Sequence, residues 1–379
     1  MLGAHSFDEK TQRRAKDYLY NGLAVSMLKG ITILFLALLV LDLRLSIGLE
    51  EIAKIYVTEL SLVVGLYTLI GYAIFWLVSF PFDFYKEYVL EHKFELSNET
   101  FSKWLWDKSK MSILSLLFIL AFVEGIYNFM WLNPIYWWFF LWSVTAVVIL
   151  LFMYVSPVLI DPLFHKFPKL ENEELLNRLT KLANKAGIKI IGVFEMKAEA
   201  KTKKATAALT GIGNTRRMLL SDTFLANYSN DETEAAIGHE IGHHVYGHIW
   251  KLDLMLTLGV FVVLFVESQV LPATFRFFGF DRIDSVATFP LFALIFGLLY
   301  FGFTPLMNTL SRRAENQSDQ YELELVEKPD AYISCMIKLC DQNLRYAYPT
   351  PLIEFLFYDH ASGTKRIERA LAFKRLRGL

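Results

Sequence analysis

The chain has 379 residues, 54% of them hydrophobic, and a mean hydropathy of +0.35, which is more apolar than an ordinary soluble domain. This composition predicts a membrane protein. The formal net charge of -1 supplies no basic surface, so the sequence argues against nucleic acid as a partner.

The first 27 residues are polar and include the basic residues Lys10, Arg13, Arg14 and Lys16. They lack a short apolar core followed by small residues at a cleavage site. We therefore expect no cleavable signal peptide.

Six apolar windows are each long enough to cross a bilayer, which takes about 20 residues of helix. They run roughly over residues 25–43, 59–84, 113–132, 135–160, 252–271 and 285–306. The sequence therefore predicts a mainly α-helical polytopic membrane protein with about six transmembrane helices.

Lysine and arginine are unevenly distributed among the connections between these windows. The N-terminus carries four, residues 85–112 carry five and the chain from Arg312 onward is rich in them, whereas the intervening connections are poor in them. Because cytoplasmic loops carry the excess of basic residues, we expect both termini and residues 161–250 on the cytoplasmic side. The sequence does not distinguish a bacterial inner membrane from the endoplasmic reticulum.

Two carboxylates fall inside the apolar windows, Glu124 in the third and Glu267 in the fifth. A carboxylate facing lipid is costly, so both are expected to face inward. A water-filled interior and a simple interhelical hydrogen bond explain them equally well.

One sizeable polar segment, residues 161–250, separates the fourth and fifth windows. Apolar residues at helical spacing over Glu174 to Gly187 predict a helix that stops at the glycine. The β-branched run from Ile188 to Phe194 predicts a strand. Residues 205–210 and 216–220 flank a glycine-rich turn and predict a hairpin. Strands are thus expected ahead of the next helix. Either an exposed strand edge aligns an extended peptide through its backbone, or the small sheet only supports that helix.

The stretch Ala236 to Trp250 contains His239-Glu240-Ile241-Gly242-His243. Ser229 and Glu232 form a capping box ahead of it, so the motif is predicted to lie on a helix. Residues four apart share a helix face, so the two imidazoles can bind one zinc ion, and Glu240 can deprotonate a water at an open coordination position. The alternative is that both histidines only line a polar face.

Two further histidines follow the motif. On a continuous helix, His244 and His248 lie about 140° and 180° around from His239. They are therefore expected in an outer-shell or plain polar role rather than as metal ligands.

A zinc ion with two histidines needs at least one more protein ligand. Glu315 and Asp319 follow the sixth window, four residues apart on a predicted helix, so they share a face. One can bind zinc while the other accepts a ring N–H from a ligand histidine. Spacing alone does not choose this pair over other acidic residues.

The two cysteines, Cys335 and Cys340, are five residues apart and lie on different faces of a helix. That spacing makes a disulfide or a metal pair improbable. Both are expected in the core.

A family resemblance rests on His239-Glu240-x-x-His243, Glu315-x-x-x-Asp319 and the pair His360 and Arg366. Segments around residues 85–100, 160–170 and 211–223 add to it. Together with the membrane windows, these motifs resemble the Ste24-type CAAX prenyl proteases, integral-membrane zinc metalloproteases of the M48 peptidase family.

The resemblance implies a role for each matching residue. It implies one Zn²⁺ per chain, and it implies a chamber among the helices with a zincin-like α+β catalytic domain at its cytoplasmic edge. The implied metal ligands are His239, His243 and Glu315, with Asp319 supporting a ligand from the second shell. The implied catalytic residues are Glu240, as base and then acid, and His360 and Arg366, which would steady the intermediate or the substrate. Substrate binding is implied at Thr206, Ala207 and Gly211.

The sequence also departs from the family pattern. The family has seven spans, and the first has no counterpart here, so a narrower or partly open chamber is expected. Position 206 is threonine where the family usually has asparagine before Gly211-Ile212-Gly213, and Ala361 follows His360 in place of proline.

We therefore expect a zinc-dependent endopeptidase that cuts near the C-terminus of peptide or protein substrates at the cytoplasmic membrane face, with membrane lipid as its other partner. Whether the substrates are prenylated is left open. The alternatives are a quality-control metalloprotease without prenyl specificity and a non-catalytic zinc-containing scaffold. The predicted divisions are residues 1–160 and 251–310 for the membrane helices, and 161–250 and 311–379 for the catalytic segments.

Overall fold

The computed structural model describes residues 7–379, and six helices among them are long and apolar enough to cross a bilayer. They span Glu9–Asp42, Leu60–Lys93, Phe101–Leu132, Trp137–Leu163, His248–Phe278 and Val286–Val326. Each predicted window falls on one of them, which confirms the predicted number. Two predictions, for the N-terminal 27 residues and for the 1–160 segment, include residues 1–6, which lie outside the described residues.

The α-helices are, in chain order, α1 (Glu9–Asp42), α2 (Leu45–Tyr56), α3 (Leu60–Asp83), α4 (Leu90–Lys93), α5 (Phe101–Leu132), α6 (Trp137–Val155), α7 (Glu173–Lys185), α8 (Asp222–Leu225), α9 (Asn230–Val245), α10 (His248–Thr274), α11 (Phe289–Val326), α12 (Pro329–Gln342), α13 (Pro351–Phe357) and α14 (Gly363–Arg377). A π-helical segment, Phe84–Val89, joins α3 to α4 without a break, and another, Ser156–Ile160, extends α6.

The helices continue well beyond the apolar windows that predicted them. The 38 residues of α11 span about 57 Å at 1.5 Å per residue, against a hydrocarbon core of about 30 Å. Its apolar first half is membrane-spanning in character, and its polar second half carries Glu315 and Asp319. The same rigid element therefore belongs to the membrane bundle and to the polar domain.

The polar domain contains a three-stranded sheet within the described residues, in the order β1-β3-β2. Its strands are β1 (Val193–Met196), β2 (Ala207–Thr210) and β3 (Arg217–Ser221). β1 runs parallel to β3, and β2 pairs with β3 antiparallel. This leaves β2 as an edge strand.

The local predictions for this domain hold with one exception. Helix α7 matches the predicted helix, and Gly187 follows it with a left-handed φ of 71°. The hairpin is present as β2 and β3. The strand predicted over Ile188 to Phe194 was wrong over its first five residues, since it begins only at Val193. Ile188 instead packs into the core in the turn after α7.

Two large hydrophobic cores stabilise the fold. One joins the membrane helices, with Tyr127, Leu264 and Phe292 buried in it. The other core contains residues of α7, the sheet and helices α9, α11, α12 and α14. Residues 161–250 and 311–379 therefore share one continuous core. The exact divisions predicted from the sequence stay a prediction. Cys335 and Cys340 are buried in this second core with free thiols, which confirms their prediction.

The two carboxylates in the membrane helices differ in their surroundings. Glu267 is fully buried, and neither of its oxygens has a hydrogen-bond partner among residues 7–379. Glu124 is partly exposed and accepts a hydrogen bond from Asn128 Nδ2 at 2.9 Å, one turn along its own helix. Glu267 therefore faces inward as expected, while the described residues supply no interhelical hydrogen bond for it.

Helices α9 and α11 pack against each other at two glycines of α9. A Cβ on Gly242 would lie 2.9 Å from Ser318 Cα, and one on Gly238 would lie 2.8 Å from Val326 Cγ2. At Gly242 the nearest atom belongs to the backbone, which cannot rotate away. The helix contact therefore depends on the missing side chain.

Replacing Gly242 by alanine is expected to lower the free energy of unfolding by roughly 1–3 kcal/mol, because the added methyl group forces α9 away from α11. The measurement is thermal unfolding in detergent, with Gly71→Ala in α3 as the matched control. A Cβ at Gly71 meets nothing within 4 Å, so the control keeps or gains stability. Equal midpoints for the two variants would contradict this packing argument.

Candidate metal centre

Helix α9 begins at the capping box predicted from the sequence. Glu232 N–H donates to Ser229 Oγ at 3.3 Å, and Ser229 N–H donates to Glu232 Oε2 at 2.7 Å. The Glu232 carboxylate also accepts hydrogen bonds from Ser334 and Lys338 of α12. The capping residues therefore fix both the start of α9 and its position against α12.

Three side chains of metal-ligand type meet where α9 crosses α11. Glu315 Oε2 lies 3.1 Å from His239 Nε2, Glu315 Oε1 lies 3.1 Å from His243 Nε2, and the two nitrogens are 3.2 Å apart. Bond lengths of about 2.0–2.2 Å in a tetrahedral zinc site put neighbouring ligand atoms roughly 3.3 Å apart. Apart from this approach to His239 Nε2, Glu315 Oε2 is buried without a hydrogen-bond partner among the described residues. The donor set therefore fits one divalent ion.

Asp319 supports the first histidine from behind. Its Oδ1 lies 2.9 Å from His239 Nδ1, so the ring donates Nδ1–H there and keeps its Nε2 lone pair for the side facing Glu315. Arg366 donates to both Asp319 oxygens, and Arg369 donates to Oδ2 at 2.7 Å. Asp319 is 0% exposed, so its charge is balanced only by these neighbours.

Arg366 contacts the metal cluster from the side of Asp319 and also lines the cavity that opens onto the cluster. Burial opposes the charge of this guanidinium, but the adjacent Asp319 holds the pKa of Arg366 well above its usual value. Its Nη2 lies 3.2 Å from His239 Nδ1. Through these contacts Arg366 holds Asp319 and His239 in place. The role of Arg366 toward the substrate stays a prediction.

His360 reaches the cluster from the segment between α13 and α14. Its Nε2 lies 3.4 Å from Glu315 Oε1, and its Nδ1 donates to Asp359 Oδ1 at 2.7 Å. That hydrogen bond lowers the pKa of Asp359 and orients the ring with Nε2 toward the cluster. His360 therefore faces a group bound beside Glu315 with Nε2, which donates only when both ring nitrogens are protonated.

A cavity of about 570 Å³ opens onto this cluster. Glu240 lines it and is half-buried, and its carboxylate has no hydrogen bond or ion pair to the rest of the described chain. Thr206 and Ala207 line the same cavity from the edge strand. A general base and a free strand edge thus face one space.

The backbone of β2 alternates between its partner strand and the cavity side. Thr206 O accepts from Ser221 N–H of β3 at 2.9 Å, so its neighbour Ala207 directs its N–H and C=O away from β3. Leu209 points the same way as Ala207, and its carbonyl accepts from His244 Nε2 at 2.9 Å. Burial lowers the pKa of His244, which keeps this ring neutral.

Gly211 serves the turn rather than the cavity. Its φ is 84°, and a Cβ would lie 2.4 Å from Thr215 O. Only glycine fits this turn, which closes the hairpin of β2 and β3. The predicted role of Gly211 in substrate binding stays a prediction.

His248 and Asn343 lie beside the site in positions that the sequence did not predict. Helix α9 ends at Val245 and Gly247 has a φ of 63°, so His248 begins α10 and the helical angle assumed for it does not apply. Gly247 was the available signal. Asn343 bonds both backbone groups of Ala205 at 2.8 and 2.9 Å and anchors the start of β2, and no local sequence signal points to that contact.

The sequence matches two family models that meet near the end of the fourth membrane helix. Residues 3–166 match the N-terminal region of CAAX prenyl proteases, described as five membrane helices, and residues 169–374 match peptidase family M48. Within residues 7–166, the structure has four helices of membrane-spanning length.

Two curated relatives resemble the chain over most of its length. The metalloprotease YhfN of Bacillus subtilis is 30% identical over 78% of this chain and 70% of its own. CAAX prenyl protease 1 of Saccharomyces cerevisiae is 30% identical over 77% of this chain and 68% of its own.

The crystal structure of Ste24p from S. mikatae superposes with a TM-score of 0.86 at 22% identity, covering 98% of this chain and 91% of that one. This likeness confirms the predicted mainly helical, polytopic membrane fold. The family models and the relatives, taken with the fold, show that the chain belongs to peptidase family M48 and is a Ste24-type integral-membrane metalloprotease.

Proposed function

We propose that this protein is a zinc endopeptidase that cuts peptide bonds near the C-terminus of its substrates at the cytoplasmic membrane face. The observation that carries the proposal is the meeting of His239 Nε2, His243 Nε2 and the Glu315 carboxylate beside a cavity lined by Glu240. The two nitrogens are 3.2 Å apart, and each lies 3.1 Å from one of the two Glu315 oxygens. Three protein ligands leave one position open, as catalytic zinc sites do, whereas structural sites close with four. This count weighs against the zinc-containing scaffold.

The chain's own residues supply the proton transfers. When bound, zinc acts as a Lewis acid that polarises a carbonyl and lowers the pKa of water. Glu240 takes the proton from the attacking water and passes it to the leaving amine. With both ring nitrogens protonated, His360 would donate Nδ1–H to Asp359 and Nε2–H to the oxygen on which negative charge develops.

The edge of β2 aligns the substrate. Ala207 offers a free N–H and C=O toward the cavity, and a peptide that pairs there is read through its backbone, independent of its side chains. Antiparallel pairing is the more stable arrangement. It sets the C-terminal part of the peptide beside the start of β2.

A cation lies at that end of the cavity. Asn343 is bonded to Ala205 at the start of β2, which puts Arg345, two residues on, near the same place. Lys204 is paired with Glu91 at 2.9 Å, whereas the Arg345 guanidinium has no hydrogen bond or ion pair within residues 7–379. An unpaired arginine suits a carboxylate ligand, which supports a substrate with its free C-terminus close to the cut.

The cytoplasmic placement rests on charge. The basic residues cluster at the N-terminus, over 85–112 and after Arg312, on the side of the bundle that carries the polar domain. The metal centre belongs to that domain and therefore faces the cytoplasm.

A second candidate is a protease without prenyl specificity. The relative from Bacillus subtilis is named only as a metalloprotease, whereas the yeast relative is named as a CAAX prenyl protease. The two candidates share the metal centre and differ in the substrate.

Changing Glu240 to glutamine is expected to leave zinc bound and to lower the cleavage rate by about 10²–10⁴, because the general base is lost while the three ligands remain. Zinc content and peptide cleavage are measured on the same preparation, with the exposed Glu324→Gln on α11 as the control. Full activity in the zinc-loaded Glu240 variant would remove Glu240 from this role.

Prenylation is tested by comparing a farnesylated Cys-a-a-X peptide with the same peptide lacking the farnesyl group. We expect the farnesylated peptide to be cleaved with the higher kcat/KM, because an isoprenoid chain gains free energy by burying apolar surface against the protein or the bilayer. Equal kcat/KM values would favour the protease without prenyl specificity.

A free C-terminal carboxylate is expected to raise kcat/KM roughly tenfold over the C-terminal amide, the size of a hydrogen bond to a charged group. Arg345→Gln should abolish that difference while leaving cleavage of the amide unchanged, and Arg345→Lys should keep part of it. A wild-type enzyme that cleaves acid and amide equally well contradicts the role assigned to Arg345.

A further inference from the structure

Buried contacts connect the second histidine of the metal motif to both neighbouring membrane helices. His248, the first residue of α10, is 2% exposed, and its Nδ1 lies 3.2 Å from His243 Nδ1. Its Nε2 lies 2.9 Å from Gln317 Oε1 of α11. Ser318 Oγ lies 3.4 Å from the same His248 Nδ1.

The donor and acceptor roles along this chain of contacts follow from the ligand atom. His243 faces Glu315 and His239 with Nε2, so a metal takes the Nε2 lone pair. A neutral imidazole then carries its proton on Nδ1 and must donate it. His248 Nδ1 is the acceptor, so the proton of His248 is on Nε2, where it donates to the Gln317 carbonyl oxygen.

We propose that His248 is a positioning residue for the metal centre, which holds the His243 ring by accepting its Nδ1–H, and that Gln317 fixes the tautomer of His248. This proposal rests on the proposed metal centre. It gives His243 the support that Asp319 gives His239, through a different chemical group. A neutral acceptor orients the ring without adding charge to a site that already contains Glu315, Glu240 and Asp319.

The side chains that hold the His243 ring come from α10 and α11. His248 follows the turn at Gly247, whose φ is 63°, so its ring folds back toward α9 rather than continuing around that helix. Gln317 lies two residues after Glu315 on α11. One metal ligand is therefore held by the ends of two membrane helices, and the third ligand lies on one of them.

The test compares His248→Leu, which removes the acceptor, with His248→Asn, whose Oδ1 can take the place of Nδ1. Zinc dissociation constants are measured on the full chain in detergent by competition with a chelator, and thermal unfolding is measured on the metal-free protein. Removing an outer-shell partner typically costs about 10- to 100-fold in metal affinity. We expect a loss of about tenfold or more for His248→Leu, and a loss at least severalfold smaller for His248→Asn. His165→Leu, a half-buried histidine away from the centre, is the control and keeps wild-type affinity.

Several outcomes would overturn the proposal. A His248→Leu protein that binds zinc as tightly as wild type shows that His248 does not hold the ligand. Equal weakening by leucine and asparagine, with the metal-free unfolding midpoint lowered in parallel, assigns His248 a packing role instead. If His248→Leu does not fold, the comparison passes to Gln317→Leu against Gln317→Glu, which keeps an acceptor oxygen, and equal affinities for that pair overturn it. A wild-type protein that binds no zinc removes the metal centre and this proposal together, whereas wild-type binding with an unaffected leucine variant removes only the proposal.

Discussion

The close approach of α9 and α11 is the contact on which the rest of the structure depends. Gly238 and Gly242 have no side chain on the face of α9 that meets α11, so the backbone at Ser318 comes within reach of the helix. That separation brings Glu315 to the two imidazoles. Any wider spacing would leave a pair of histidines on one helix and a carboxylate on another.

The same contact requires charges to be buried, and the chain compensates for them locally. Asp319 is fully buried one turn after Glu315, where it orients His239 and is itself bound by Arg366 and Arg369 of α14. An isolated buried carboxylate would be strongly destabilising, so Asp319 depends on the two arginines that α14 supplies. This explains why the C-terminal helix, far along the chain from His239, belongs to the same core. The metal centre is thus the meeting point of α9, α11 and α14, which all contribute to the core of the polar domain.

The sequence predicted much of this because its strongest signals are local. Apolar windows located six membrane helices, the capping box at Ser229 located the start of α9, and the spacing of His239 and His243 put them on one face. It could not predict contacts that depend on packing between distant elements. The bond from Asn343 to Ala205 and the place of His248 behind His243 are examples. For His248 the error was the assumption of a continuous helix through Gly247, where the chain turns instead. The strand predicted from Ile188 begins only at Val193, because Ile188 is buried in the core at the turn after α7 and Ile191 is exposed.

The metal centre requires a single ion held by His239, His243 and Glu315, with one coordination position left open. Anomalous scattering at the zinc edge, from crystals of the full chain, tests this most directly. We predict one peak about 2.0–2.2 Å from His239 Nε2, His243 Nε2 and a Glu315 oxygen, with a non-protein fourth ligand on the Glu240 side. A peak coordinated by a fourth protein side chain, or one that lies away from Glu315, would contradict the account.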